Sequence, residues 1–381
     1  MKTTVSFTCL LLASVALLSS CGNSGKKEQA SGPNELLAVH YGDLSKEEKD
    51  LPLSTFVEDV QVVHFENVDD AFFKAWNIAI TDHYIGVRQS GAPFKLFDRS
   101  GKYLCDVGAV GNGPGEYAIS IYDEIIDEKG GRIFLMPFAG SSILVYDLNG
   151  KYVKDIPLPV KNKAIKPKMN LNADGTLSVV HMSFSTDDPL AFCIDMEGNL
   201  LKEIPTPKHM TVSDANGEIF SYRNTQGEFE FFHTSNDTIF LYDAAANRLV
   251  PNFTITFPDP DNKPIHIYRS TPQGVFANCY FWDEEKQRPG EGNTYFIDRK
   301  TGKSTLFHVV NDFYGNLSAG TNFNQGYWYL NMQPENLKEL IEEHLASGNC
   351  PEEARQKLKD LAATLHENDN HVLMFGKLKQ P

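Results

Sequence analysis

The sequence is short of the signatures that mark familiar chemistries. Its six cysteines include no Cys-x-x-Cys pair and its eleven histidines no His-Glu-x-x-His, so two common zinc patterns are missing. Gly-x-Ser-x-Gly is absent, which removes the α/β-hydrolase reading, and so is the Ser-x-Asp-x-Gly-x-Thr-Trp box of sialidase propellers. Positive charge is scarce: 35 Lys and Arg stand against 50 Asp and Glu, a formal charge of −15. With no basic patch to offset phosphate repulsion, nucleic acid is excluded as a partner. The apolar run Val5–Leu18 is too short for a spanning helix.

That run has another use. Lys2 precedes it, and Leu18-Ser19-Ser20-Cys21 follows in the form of a bacterial lipobox. Residues 1–20 are therefore expected to be a lipoprotein signal peptide and Cys21 the site of lipid attachment. Residues 21–33, rich in Gly, Ser and Lys, form a flexible tether. No acidic run follows Cys21, so the expected location is the cell envelope, on the outer membrane facing the periplasm. Cys105, Cys193, Cys279 and Cys350 remain, widely spaced and without a metal pattern. Cys105 and Cys193 fall in strand-like runs and read as small buried hydrophobes.

What the chain has in quantity is a repeat. Ile143-Leu-Val-Tyr-Asp147-Leu-Asn-Gly150-Lys-Tyr-Val sets two apolar runs around an Asp-x-x-Gly turn, the form of a β-hairpin. Similar phrases place marker aspartates at 98, 147, 195, 243 and 298, in steps of 49, 48, 48 and 55. A strand-built period of this length means radial β-repeats. At about 50 residues per repeat, residues 56–378 hold six blades. The fold class is all-β, a six-bladed β-propeller occupying residues 34–381. Asn34–Pro52 reads as irregular or briefly helical. Phe56–Phe65 and His371–Leu378 each read as a lone strand, and sharing one blade would close the ring without exposed edges.

Near the C-terminus the period changes to that of a helix. Leu337, Leu340, Ile341 and Leu345 share one face before Gly348, and Ala354, Leu358, Leu361 and Leu365 share another. Two short helices cannot bury a core alone, so residues 334–366 are expected as an insertion in the last blade, with 371–378 its closing strand.

Three stretches resemble a known family. Val107-Gly-Ala-Val-Gly-Asn-Gly-Pro-Gly-Glu-Tyr117, Ser235-Asn-Asp-Thr-Ile-Phe240 and Asp369-Asn-His-Val-Leu373 are similar to signatures of the six-bladed β-propeller lipoproteins of Bacteroidetes-type bacteria. His371 stands where that family usually has Pro. The resemblance implies a TolB-like or NHL-like propeller and a lipid-anchored life, with no activity attached.

The sharpest local feature is the loop Gly111, Gly113, Gly115, Glu116 and Tyr117. One reading has its amides and Glu116 holding a ligand near the propeller mouth. The plainer reading, taken first, is a tight crossover between blades, with Glu116 bonded to backbone amides and Tyr117 packed between blades. The loop lacks the Lys-Ser/Thr of a phosphate loop. The marker aspartates suggest a carboxylate ring, but each precedes a hairpin turn, where Asp bonds to local backbone. Trp76, Arg88 and Trp282 are candidates for a central pocket, although strand aromatics more often pack in cores. No catalytic residue, metal ligand or cofactor emerges. The expected function is a monomeric, lipid-anchored module binding an envelope protein, peptide or glycan. The competing reading is a propeller hydrolase or lyase, lactonase-like or amidating-lyase-like, with a divalent metal held in the central channel.

Overall fold

The computed structural model describes residues 36–380 except Ile119 and Ala215. The stretches read as signal peptide and tether, with Cys21, lie outside the described residues. The chain forms the expected six-bladed propeller. Blade 1 runs Ala75–Ile80, Tyr84–Gln89, Phe94–Asp98 and Tyr103–Val107; blade 2 runs Ile121–Asp127, Arg132–Pro137, Ser142–Asp147 and Tyr152–Pro157. Blade 3 has Ala164–Leu171, Leu177–Met182, Pro189–Ile194 and Leu200–Pro205; blade 4 has Ile219–Phe220, Glu230–His233, Thr238–Asp243 and Arg248–Thr256. Blade 5 has Ile265–Ser270, Gly274–Asp283, Arg288–Asp298 and Ser304–Asn311. Blade 6 begins with Phe323–Asn324, Tyr327–Met332 and Val372–Lys377, and takes its fourth strand, Gln61–His64, from the start of the chain. Val62 opposes Met374 in that register, so both ends of the chain close the ring in one sheet.

The core is divided among the seams between blades. Six hydrophobic clusters form, one for each neighbouring pair of blades. Phe65, Phe97, Leu373 and Phe375, for example, fill the seam between blades 6 and 1. Helix α1 (Pro334–Ser347) and helix α2 (Glu352–Ala363) lie between the second and third strands of blade 6. They press Leu337, Ile341, Leu358 and Leu361 into the seam between blades 5 and 6. Pro334 opens α1 where a missing N–H costs nothing, and Gly348 ends it in the left-handed region.

The segment read as irregular or briefly helical, Asn34–Pro52, has a brief 3-10 turn at Tyr41–Asp43 but also carries two strands. Within it Leu37–His40 adds in parallel to Phe253–Thr256 of blade 4, and Glu48–Pro52 adds in parallel to Leu306–Val310 of blade 5. These additions are held by backbone bonds at an outer edge, with most side chains exposed, so no hydrophobic alternation betrays them. Residues 37–64 thus strap the outside of blades 4, 5 and 6.

The marker turns join blade to blade. Asp147 accepts the amides of Asn149 and Lys151, both at 2.9 Å, and Asp98 and Asp195 make equivalent bonds. Gly101, Gly150 and Gly198 follow with positive φ, and a Cβ on any of them would run into a backbone carbonyl of the preceding blade, at His64, Asp106 and Pro157 respectively. In blade 4 Asn247 takes that place with φ 51° and donates its side-chain amide to the Glu203 carbonyl of blade 3 at 3.0 Å. Gly150→Ala and Gly198→Ala are each expected to cost roughly 2–5 kcal/mol, from left-handed strain of about 1–2 and overpacking of about 1–3. Gly302→Ala, whose nearest neighbour is Leu37 Cδ1 at 3.5 Å, should cost the strain alone. Urea midpoints of the three variants test this ordering.

Candidate functional site

The inner strands enclose a cavity of about 410 Å³ on the propeller axis, to which every blade contributes lining. It is polar and cationic. Arg88 of blade 1, Lys168 of blade 3, Arg223 of blade 4 and Arg269 of blade 5 all reach it, with Asp123 of blade 2 and Glu218 ahead of blade 4. Trp76 of blade 1 is 50% exposed beside it, and the Arg88 guanidinium lies 5.0 Å from its ring centroid.

The short inner strand of blade 4 creates this arrangement. After two paired residues, Ile219 and Phe220, the chain leaves the sheet and crosses the axis. Arg223, held at φ 50°, forks onto Asp123 at 2.7 and 3.0 Å and onto the carbonyls of Met169 and Glu124 at 2.6 and 3.1 Å. Asn224 donates to the Ser270 carbonyl at 2.8 Å and accepts the Gly326 amide at 3.2 Å, while the Gln325 amide donates to the Tyr222 carbonyl at 2.7 Å. Residues 222–224 therefore tie blade 4 to blades 2, 3, 5 and 6.

The other charges are set by pairing. Arg88 Nε lies 2.9 Å from Glu124 Oε2, both side chains being buried. Glu124 also accepts Asn77 Nδ2 at 2.7 Å, and Asn77 in turn accepts the Tyr329 hydroxyl at 3.2 Å. Lys168 Nζ donates to the Tyr122 carbonyl at 3.0 Å and stands 4.5 Å from that ring's centroid. The Tyr122 hydroxyl donates to Glu218, which Lys166 also contacts. Arg269 differs: it lies 5.3 Å from the Tyr222 centroid and has no carboxylate on it among the described residues. Four cations thus face two lining carboxylates, with Glu124 behind them, inside a chain of net charge −15.

Titration follows from this layout. Burial pushes the Asp123 carboxyl up, but the Arg223 guanidinium and Lys168 ammonium outweigh it and hold it below the usual carboxylate range. Burial pushes the Lys168 ammonium down to about 8, with Asp123 offsetting only part of the cost. Burial, then the bond to Glu218, pushes the Tyr122 phenol up, so it stays protonated at neutral pH.

Among the described residues no group of three or more His, Cys, Asp and Glu side chains could hold a metal ion. The axial carboxylates are poor candidates in particular, since Asp123 and Glu124 already grip Arg223 and Arg88. A divalent cation in the channel does not fit this donor set.

Of the residues singled out from sequence, Trp76 and Arg88 do line the cavity and Trp282 does not; it lies 42% exposed on the blade 5 hairpin. The loop Gly111–Tyr117 is not part of the cavity lining. Glu116 accepts the Gly113 amide at 2.8 Å, and the Tyr117 hydroxyl, on a buried ring, donates to the Val107 carbonyl and accepts the Phe94 amide. Gly115 shows its carbonyl to the Tyr146 hydroxyl of blade 2 at 2.8 Å. Cys105, Cys193, Cys279 and Cys350 are unpaired, the last three buried. Arg223, Lys168, Asp123 and Arg269 escaped sequence reading. The signal for one was present: Lys166-Pro-Lys168 puts two cations in a strand whose neighbours are apolar.

Residues 39–377 match the family described as a domain of unknown function, DUF4934. No curated protein matches the sequence. Among solved structures, a Bacteroides fragilis protein described as exported aligns with TM-score 0.64 at 15% identity, over 91% of this chain and 100% of that one. A member of the DUF4221 family from Bacteroides vulgatus aligns with TM-score 0.48 at 10% identity, over 84% and 98%. A virginiamycin B lyase of Staphylococcus aureus aligns with TM-score 0.35 at 12% identity, over 65% and 100%.

The buried axial pair has a measurable consequence. Asp123→Ala leaves Arg223 buried and unpaired and is expected to cost about 3–5 kcal/mol in denaturant unfolding. Asp123→Ala combined with Arg223→Met should recover most of that loss, because no uncompensated charge then remains.

Proposed function

We propose that this chain, which belongs to the DUF4934 family, is an envelope propeller whose axial cavity binds a small anionic ligand, a carboxylate-bearing sugar above all. The observation that carries the reading is Arg269, a guanidinium facing the cavity with no carboxylate of the protein on it among the described residues. Arg88 and Arg223 are held in place by their own carboxylates, so they are preorganised and lose little freedom on binding. Trp76 offers an exposed ring for stacking, and Asn322, an exposed residue of the same lining, offers an amide to hydroxyls. The location follows the lipobox at Cys21 and keeps the expected lipid anchor; no helix of the described residues is long and apolar enough to cross a membrane.

A second reading is elimination chemistry in the same cavity, and Lys168 favours it. A buried amine poised at about 8 can take the proton on the carbon next to a carboxylate whose charge an arginine neutralises. The β C–O bond then breaks as the C=C bond forms, and the departing oxygen takes a proton from the Tyr122 hydroxyl. This is a lyase without a metal.

Calorimetric titration with galacturonate and with neutral galactose tests the main reading. Galacturonate should bind and galactose should not, and Arg269→Ala should weaken galacturonate by about tenfold to a hundredfold, the worth of a charge-assisted hydrogen bond. Equal binding of the two sugars sinks it. The pH profile separates the two readings. Lys168 is charged below about 8 and neutral above it, so binding should weaken as pH rises through that value while elimination should accelerate. Ultraviolet absorbance from a newly conjugated carboxylate in polygalacturonate digests reports the latter.

A further inference from the structure

A second cavity of about 410 Å³ lies against the first, bounded by Thr234 of blade 4 and by Lys263, Ile265 and Tyr280 of blade 5 and its approach. The two cavities share two walls, Glu218 and Phe220. They lie at the inner strand of blade 4, which is cut to Ile219–Phe220, with Glu218 just before it. The Phe220 ring stacks on Tyr222, at 6.1 Å between centroids and 6° between planes, and on Phe232 at 6.5 Å and 11°. Tyr222 lines the axial cavity, so this aromatic ladder runs from one cavity's lining to the other's. Part of the second cavity's lining is apolar and in the open. Ile265 is 44% exposed and pairs across the sheet with Tyr280; Phe281 and Trp282 follow at 50% and 42%. They sit on the longest hairpin of the propeller, Gly274–Asp283 with Arg288–Asp298.

We infer that the two cavities form one binding path for a linear acidic oligosaccharide of at least two units. The inference rests on the reading of the axial cavity as a carboxylate-sugar site. The charged terminal unit occupies the axial cavity against Arg269. The next unit lies over Phe220 in the second cavity, where Tyr280 and Ile265 supply apolar contact suited to a pyranose face. A ligand confined to the axial cavity would leave the adjoining cavity, which shares Glu218 and Phe220 with it, unused.

The test compares galacturonate, digalacturonate and trigalacturonate by calorimetry on the full folded chain and on Tyr280→Ala, with thermal unfolding confirming that the variant is folded. Affinity is expected to rise at least tenfold from monomer to trimer in the native chain. Tyr280→Ala should flatten that rise while leaving the monomer unchanged. Ile265→Asp, on an exposed position, should do the same by repelling the acidic chain. Monomer binding with no gain on lengthening overturns the two-cavity path and leaves the axial site standing. A gain that survives both substitutions overturns it too, since the added units then bind elsewhere. Silence from monomer and oligomers alike removes both the path and the axial reading.

Discussion

The Arg223–Asp123 fork is the constraint on which the centre of this propeller depends. A ring of six sheets meeting at an axis leaves a hole, and the protein fills one end of it with backbone rather than side chains. Backbone crossing an interior must have its amides and carbonyls bonded. In residues 222–224 the Tyr222 carbonyl accepts the Gln325 amide of blade 6, and the side chains of Arg223 and Asn224 carry the further links to blades 2, 3, 5 and 6, Arg223 supplying the strongest. A buried ion pair of this kind contributes little net stability, because desolvation offsets its attraction. Its contribution is positional. The left-handed backbone at Arg223 persists because the fork, two carbonyl contacts and the neighbouring Asn224 bonds together over-determine it.

Away from the axis the same logic runs through the seams. Each blade buries its faces against two neighbours, so stability is shared in six clusters rather than one core. Such a ring fails wherever one seam opens. Two devices guard the seams. The positive-φ residue of four of the five marker turns, Gly in blades 1 to 3 and Asn247 in blade 4, sits against the backbone of the blade before it. The N-terminal strap then adds strands to blades 4, 5 and 6, the last completing the sheet that Val372–Lys377 would otherwise leave with a bare edge.

The architecture was legible because it is periodic. Asp98, Asp147 and Asp195 announce their turns at a near-constant interval, and the helices declare themselves through Leu337, Ile341, Leu358 and Leu361. The first two strands of the strap were hidden because edge strands held by backbone bonds, such as Glu48–Pro52, leave no pattern in their side chains. The cavity was largely hidden for a different reason. Trp76 and Arg88 could be suspected as polar or aromatic residues in strands, but Arg223 lies where the repeat breaks down and its partner Asp123 is 100 positions away. Convergence on an axis is a property of closure, and no local spacing encodes it. Trp282 had the same outward credentials as Trp76 and lies instead on the exposed blade 5 hairpin.

Charge placement explains why an acidic chain keeps a cationic centre. Arg88 and Arg223 are neutralised by Glu124 and Asp123, so they give direction without a net field. The uncompensated charge resides on Arg269 and, below its shifted pKa, on Lys168. A folded protein bears the cost of holding Lys168 charged among buried groups, and that cost is what depresses its pKa. From about 8 to the ordinary lysine range the unfolded chain binds the extra proton, so stability rises with pH across that window and the burden is fully present below it. A bound anion would relieve the same burden by Coulomb attraction in a poorly solvated space. Binding energy and proton affinity at the axis are therefore two expressions of one electrostatic imbalance, and the acidic exterior makes the cavity the place where it can be resolved.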